Sequence, residues 1–459
     1  MSKERDRRSI SHYQMNQLRR IFGMKEKLKP YILPVSLCIA VLVSLVLIVA
    51  LLVNPARFGS RMHQDKSATL KSEVSSKNRY DIYSPTEVIR TAKDGKQGLL
   101  TSETTSLTGE LVKNIETYHV ESVKEISKDN QKHFINTLNS NNSLMLNYGS
   151  EIPVKLLSKI FDSKVGSNNF NVNRMILPLG DNTHFYLLGD NGYHVYEVTT
   201  KKRNLNQLQN ILNKKIQSVN VQMRTLNDRP FLFYPNRVKM RNYGYLLAEQ
   251  SQTAYINRVL GNTTDTSVKH RKKSTTYSSR DQSLNFDDDD NVLYQDYKQN
   301  KRERSYANVL NSAYGYANKL GIPLDNARFD SYNPVKNTVT YRTFVEGYPV
   351  FNQKRLGTCS FTMGNGGATR YEFSLLSFQI PIPTNAESTT LPSTGTVLNQ
   401  LSAEGIDMKK VRSITLGYQV VPEKNNKQLI TLQPSWFVNY DGSWINYQLI
   451  GNGTGKESF

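Results

Sequence analysis

The longest hydrophobic stretch of the chain lies near its N-terminus, at residues 31–53, where no charged side chain occurs. As an α-helix, a stretch of this length spans about 34 Å, which is enough to cross the hydrocarbon core of a membrane. The pattern therefore predicts a single transmembrane helix. A cleaved signal peptide is the alternative, but its apolar region is ordinarily only about 7 to 15 residues long. Cys38 follows Leu37, which is too large for a lipidation site, so we interpret it as a packing or lipid-facing thiol.

After this stretch the pattern changes twice. Residues 54–78 are polar, rich in Ser and Lys, and without an apolar period, which is typical of a linker. From residue 79 onward, short β-branched runs alternate with segments whose apolar residues recur at helical spacing. The sequence predicts an α+β fold with antiparallel sheets in about three mixed units, at 79–200, 201–300 and 301–459.

The same periodicities predict individual elements. Helices are predicted at 107–115, from 205 onward, and at 252–260, 306–320 and 396–404. Strands are predicted at 87–90, 175–178, 184–188, 193–198, 238–247, 338–344, 359–363, 369–376, 411–421 and 428–440, with hairpins between 267 and 297. Trp436 and Trp444 flank a predicted turn at Asp441–Gly442, and we expect Trp436 in a hydrophobic core because large apolar residues on strands usually face inward.

The formal charge of +20 is distributed unevenly. Residues 1–30 carry nine Lys or Arg residues against three acids. The positive-inside rule therefore places this basic tail in the cytoplasm and everything after the span outside the cell. The remaining bases are interspersed with acids, which suits an anionic wall or membrane surface and does not indicate a nucleic-acid groove.

Residues 391–395 read LPSTG, which resembles the sorting signal of wall-anchored proteins. Such a signal requires an apolar stretch and a basic tail directly after it, but 64 residues of strand-like sequence follow here. The alternative is a helix cap, in which Ser393 or Thr394 begins a helix that Gly405 ends. We favour the cap.

The sequence shows no catalytic, cofactor or metal motif. No His pair has ligand spacing beside a carboxylate, and neither cysteine has a His or Asp partner nearby in sequence. Asp287–Asp290 lacks the alternating acids and central Gly of a calcium loop, so we interpret it as a charged hairpin tip. The basic run Lys269–Lys273 is interpreted as an edge strand protected against aggregation, with contact to an anionic polymer as the alternative.

The predicted membrane helix carries small residues at a spacing of four. Ser36, Ala40 and Ser44 align on one face, where small side chains let another helix approach closely in lipid. These three residues are the candidate partner-binding site. The alternative is that Ser and Ala are simply common in single-span anchors.

Several stretches are similar to a known family. They are Tyr83–Val88 (YSPTEV), Tyr341–Phe351 (YRTFVEGYPVF), Leu391–Gly395, Gly417–Tyr418, and Leu432–Trp444 (LQPSWFVNYDGSW). With the N-terminal span, they resemble the YycH (WalH) regulators of a cell-wall two-component system in Gram-positive bacteria. The basic tail is longer than in many relatives.

The resemblance implies a function. Proteins of this family bind the sensor histidine kinase YycG (WalK) together with a YycI (WalI)-like partner, through membrane helices and external domains, and they are not enzymes. The alternative is an anchored extracytoplasmic wall-polymer-binding protein or enzyme, which would need an acid or nucleophile cluster in a cleft or a contiguous basic face.

Overall fold

The computed structural model describes residues 78–450 except 103–105, 158–168, 215, 262–265, 299–304, 325, 353, 365–367, 383–387 and 425. Among these described residues, no helix is both long enough and apolar enough to cross a membrane. The helix predicted at 31–53 lies outside them and stays a prediction.

The first part of the fold is a nine-stranded antiparallel sheet. Its strands are β1 (Glu87–Thr91), β2 (Gln97–Thr101), β3 (Val120–Ser127), β4 (Ser143–Pro153), β5 (Asn171–Pro178), β6 (His184–Gly189), β7 (His194–Thr200), β8 (Gln217–Leu226) and β9 (Arg229–Phe233). In space they follow the order β3-β7-β6-β5-β4-β1-β2-β8-β9. Residues 78–233 are referred to below as the N-terminal half.

Helices lie on both faces of this sheet. They are α1 (Arg79–Ile82), α2 (Leu107–Ile115), α3 (Gln131–Leu138) and α4 (Leu205–Leu212). Successive side chains of a strand point to opposite faces, so Val88 and Ile89 on β1 enter different cores. Val88 shares its core with Leu111 of α2, whereas Ile89 shares the other core with Phe134 of α3.

The C-terminal half, residues 238–450, contains a fourteen-stranded sheet and a separate two-stranded pair. Its strands are β10 (Val238–Met240), β11 (Tyr243–Glu249), β12 (Ser267–Arg271), β13 (Ser274–Ser279), β14 (Gln282–Asp287), β15 (Asn291–Asp296), β16 (Ala327–Asn333), β17 (Thr338–Val345), β18 (Tyr348–Phe351), β19 (Thr358–Thr362), β20 (Thr369–Ser374), β21 (Leu376–Ile382), β22 (Thr389–Leu391), β23 (Val411–Glu423), β24 (Asn426–Tyr440) and β25 (Ser443–Asn446). The main path runs β12-β13-β14-β15-β20-β19-β17-β18-β23-β24-β11-β21, with β16 on β17, β25 on β24, and β10 paired with β22.

Three helices complete this half: α5 (Gln252–Leu260), α6 (Tyr306–Leu320) and α7 (Thr394–Ala403). Two hydrophobic cores run through the molecule, and each takes side chains from both large sheets. Residues from 73 onward accordingly form one compact unit. The predicted α+β fold with mainly antiparallel sheets is confirmed, and the limits of the three predicted units stay predictions.

Local signals in the sequence account for the helix ends. In α6, the Ser305 hydroxyl accepts a hydrogen bond from the Asn308 amide at 3.2 Å, and Gly321 after the last turn adopts a φ of 71°. A side-chain cap satisfies an amide that has no partner within the helix, and glycine tolerates the left-handed conformation that ends it. The predicted helix at 306–320 is confirmed at both ends.

The LPSTG segment is the start of a helix. The Ser393 hydroxyl accepts from the Thr396 amide at 3.3 Å, and Gly405 has a φ of 76°. The indole Nε1 of Trp436 donates to the carbonyl oxygen of Pro392 at 3.0 Å, and Trp436 is fully buried. Both the cap and the core position of Trp436 are confirmed.

The two charged runs also occupy the predicted places. Asp287–Asp290 forms the turn between β14 and β15, where the Asp287 carboxylate accepts from the amides of Asp289 and Asn291 at 2.9 Å each. Strand β12, which holds most of the basic run, is the outermost strand of its sheet and is exposed at every position.

Candidate functional site

The first described helix, α1, packs against the C-terminal half. The Arg79 guanidinium donates to the side-chain oxygen of Asn311 at 2.8 Å. The Tyr83 hydroxyl donates to the carbonyl of Leu310 at 2.7 Å and lies 2.7 Å from the hydroxyl of Tyr341. Burial raises the pKa of Tyr83, so its hydroxyl stays protonated as a donor. The start of the N-terminal half is thereby fixed to the other half.

Beside Tyr341, a buried ion pair holds the β16–β17–β18 region. The Arg342 guanidinium contacts the Asp330 carboxylate, with Nε to Oδ1 at 3.1 Å, and both side chains are largely buried. Arg342 also donates to the carbonyl of Val350 at 3.2 Å and lies 4.5 Å from the ring centroid of Phe351. A charge buried with this many partners specifies one arrangement of its surroundings.

The turn between β17 and β18 brings this hairpin close to the N-terminal half. Glu346 and Gly347 have φ values of 51° and 84°, as in the tight turns whose twist matches two antiparallel strands. A Cβ on Gly347 would lie 3.5 Å from the carbonyl oxygen of Thr86. The Glu346 carboxylate accepts a short hydrogen bond from the hydroxyl of Tyr243.

A cavity of about 260 Å³ lies between the two halves at this place. The N-terminal half contributes the Pro85–Val88 segment, the end of β2 and the first turn of α2, including Thr108. The C-terminal half contributes Arg328 and the β17–β18 turn. We take this cavity as the candidate functional site.

Glu87 is the acidic group from the N-terminal side. It lies opposite Asn147 on β4, whose side-chain amide donates to the Glu87 Oε2 at 2.6 Å. Asn147 lies in turn opposite Arg174 on β5, and Arg174 forms a short ion pair with Asp190. Burial raises the pKa of Glu87, while the Asn147 hydrogen bond and the Arg174 charge oppose that rise.

Arg328 is the basic group from the C-terminal side. It lies opposite Arg342 in the β16–β17 register, but Asp330 pairs with Arg342 instead. Arg328 donates to the carbonyl of Ala327 at 3.2 Å, and no described carboxylate lies within ion-pair distance of it. Burial lowers the pKa of Arg328, opposed only by the charge of Asp81.

A second cavity, of about 60 Å³, lies within the C-terminal half and includes Cys359 in its wall. Burial raises the pKa of the Cys359 thiol to about 12, so it is protonated at neutral pH and unreactive as a nucleophile. Within the described ranges, no group of three or more His, Cys, Asp or Glu residues is placed to hold a metal ion.

The predicted partner-binding residues Ser36, Ala40 and Ser44 lie outside the described residues, so that site stays a prediction. Sequence reasoning missed Glu87 and Arg328, which are 241 positions apart and carry no local motif. One signal pointed to their neighbourhood, because the family-like stretches Tyr83–Val88 and Tyr341–Phe351 both contribute residues to the cavity wall.

Solved structures show the same fold. The crystal structure of YycH from Bacillus subtilis matches with a TM-score of 0.64 at 15% identity, covering 81% of this chain and 98% of that one. An uncharacterized protein from Eubacterium rectale matches with a TM-score of only 0.29 at 13% identity, over 44% of this chain and 77% of that one. No curated protein matches the chain.

Family comparison covers both halves. Residues 32–218 match the family described as YycH protein, N-terminal domain. Residues 230–452 match YycH protein, C-terminal domain. The two matches together span most of the chain, in the order of the two halves seen in the structure, and the chain belongs to the YycH family.

Proposed function

We propose that this protein is a membrane-anchored regulator that binds and modulates a cell-wall sensor histidine kinase of the YycG (WalK) type together with a YycI (WalI)-like partner. The YycH family is a regulatory family associated with the YycG/WalK system, and it is not known for an enzymatic activity. The observation that carries the proposal is the family match over both domains, from residue 32 to residue 452.

The sequence supports the location that this function needs. An uncharged stretch at 31–53 behind a basic tail favours a single-pass protein in the cell membrane, with its N-terminus in the cytoplasm and its C-terminal region outside. The kinase or the YycI-like protein would then contact the helix face of Ser36, Ala40 and Ser44, where small side chains allow close packing in lipid.

The construction of the folded region supports a link between anchor and external surface. Helix α1 begins at Arg79, directly after the predicted linker, and Arg79 and Tyr83 contact α6 and β17 of the C-terminal half. Both cores are shared by the two halves. A displacement at the membrane end is therefore passed to both sheets as one body.

Co-purification from membranes tests the proposal. The full chain, carrying a tag, is recovered from gently solubilised membranes, and a histidine kinase and a YycI-like protein are scored by immunoblot. We expect both to be recovered, and to be recovered less when residues 31–53 are replaced by an unrelated single-span helix of equal length. Recovery of wall polymer with no kinase under either condition would contradict the proposal and favour a wall-binding protein.

A further inference from the structure

The cavity between the two halves contains one charge of each sign. Glu87 comes from β1 of the N-terminal half and Arg328 from β16 of the C-terminal half. Neither is within ion-pair distance of the other, and neither contributes to the electrostatic environment of the other. Two opposite charges that line one cavity without pairing are separated by the space between them.

Both charges lack full compensation. Arg328 has one hydrogen bond, to a backbone carbonyl, although a guanidinium presents five donors. Glu87 receives the Asn147 amide on Oε2, and no hydrogen bond from a described residue reaches its Oε1. Burial shifts the pKa of each group toward its neutral form, up for Glu87 and down for Arg328. A bound molecule with a complementary charge at each end would relieve both penalties.

The rest of the wall fits a small polar molecule. The hydroxyl groups of Thr86, Thr101 and Thr108 and the amide of Asn326 line the cavity beside apolar groups such as Val88 and Phe344. The volume of about 260 Å³ is just below the ~300 to 1,000 Å³ of typical ligand sites. The space therefore suits a molecule of the size of an amino acid or a dipeptide.

We propose that this cavity binds a small zwitterion, an amino acid or short peptide, whose carboxylate pairs with Arg328 and whose ammonium group pairs with Glu87. A guanidinium holds a carboxylate through two parallel hydrogen bonds, which a lysine could not reproduce. Because Glu87 and Arg328 belong to different halves, the ligand joins the two halves beside the segment that follows Tyr83. Occupancy of the cavity thus stabilises the junction that connects the linker to the C-terminal half.

Calorimetric titration of the purified full chain tests this proposal with three probes: alanyl-alanine, its N-acetyl form and its C-terminal amide. Each capped form lacks one charge, so we expect each to bind at least about tenfold more weakly than the free dipeptide. Absence of binding by the free dipeptide, or equal binding of all three, would overturn the proposal.

Two charge variants assign the ends of the ligand. In Arg328→Gln, the amide and the free dipeptide should bind alike, while the penalty for acetylation persists. In Glu87→Gln, the acetylated and free forms should bind alike, while the penalty for amidation persists. A merely structural role of either residue would weaken all probes by the same factor, and that pattern would contradict the assignment. Arg237→Gln, at an exposed position outside the cavity, is the matched control and should bind as the wild type does.

A further variant keeps the test valid if a charge variant fails to fold. Thr108→Phe places a ring in the cavity from the partly exposed first turn of α2 and leaves both charges in place. Its melting temperature should match the wild type, and the free dipeptide should no longer bind. Unchanged dipeptide affinity in folded Thr108→Phe would locate any binding elsewhere and overturn the cavity as the site.

Discussion

The hydroxyl oxygens of Tyr83 and Tyr341 lie 2.7 Å apart, although 258 positions separate these residues in the chain. Both side chains are almost completely buried, and the Tyr83 ring also contacts Phe329 with ring centroids 5.6 Å apart. The pair joins the first residues of the N-terminal half to the middle of the C-terminal sheet. It is the most direct polar link between the two family-like stretches Tyr83–Val88 and Tyr341–Phe351.

Removal of the Tyr83 hydroxyl should destabilise the whole folded unit. Tyr83→Phe leaves the Leu310 carbonyl and the Tyr341 hydroxyl without their partner, and a buried unsatisfied group costs about 1 to 3 kcal/mol. We expect a loss of that size in the free energy of unfolding, measured by denaturant titration. Tyr297→Phe, at a position 51% exposed, is the control and should change stability by less than about 0.5 kcal/mol.

Trp436 should contribute more to stability than any hydrogen bond of the junction. Trp436→Ala removes a fully buried side chain that packs edge-on against Tyr234, and it also leaves the Pro392 carbonyl without a donor. A loss of about 3 to 5 kcal/mol is expected in denaturant unfolding. Trp444→Ala, at a partly exposed site, should cost clearly less, and equal losses would show that burial is not the cause.

The helices and strands that the sequence predicted are those with a strong local signal. Helix α6 follows from a cap at Ser305, an apolar stripe and Gly321, all of which act within one segment. The cavity has no such signal, because Glu87 sits at the start of a strand and Arg328 beside a paired arginine that looks equivalent in sequence. Which arginine takes Asp330, and which one faces the cavity, is decided by strand register and packing across the two halves.

The stability should depend on pH through Glu87. Its pKa is raised above the ordinary value of 4.5, so the folded state binds a proton more tightly than the unfolded chain does. The contribution of Glu87 to stability is therefore fully present below pH 4.5 and is lost as the pH rises through the folded-state pKa. Glu87→Gln should be more stable than the wild type at pH 7, and this difference should vanish below pH 4.5.

Denaturant unfolding at both pH values measures this difference. Glu121→Gln, at an exposed position on β3, is the matched control and should show no gain at pH 7. A Glu87→Gln variant that is less stable than the wild type at pH 7 would mean that the ionised carboxylate is fully compensated by Asn147 and Arg174.

The predicted membrane face can be tested by adding bulk to it. Ala40→Leu inserts a larger side chain where backbones are expected to approach, so it should weaken kinase association and change reporter output without preventing insertion. Leu42→Ile and Val46→Leu, which lie off the stripe, should be tolerated because lipid accepts Leu and Ile almost equally. Equal output from all three variants would contradict the stripe and move the contact to the external region.

The orientation in the membrane is open to a direct test. A reporter fused after Phe459 should be active outside the cell, and one fused before Met1 should be active inside, because basic residues crowd the N-terminal side of the span. The opposite result would contradict the membrane arrangement of the proposed function.

The contacts of Tyr83 have a consequence for the time course of synthesis. Its partners Leu310 and Tyr341 follow 227 and 258 positions later, and a chain grows at about 5 to 20 residues per second. The apolar side chains of Ile82 and Tyr83 therefore wait on the order of tens of seconds before the surface that buries them has been made. The junction is begun among the first folded residues and completed among the last, so any factor that shields nascent chains has its longest task at this segment.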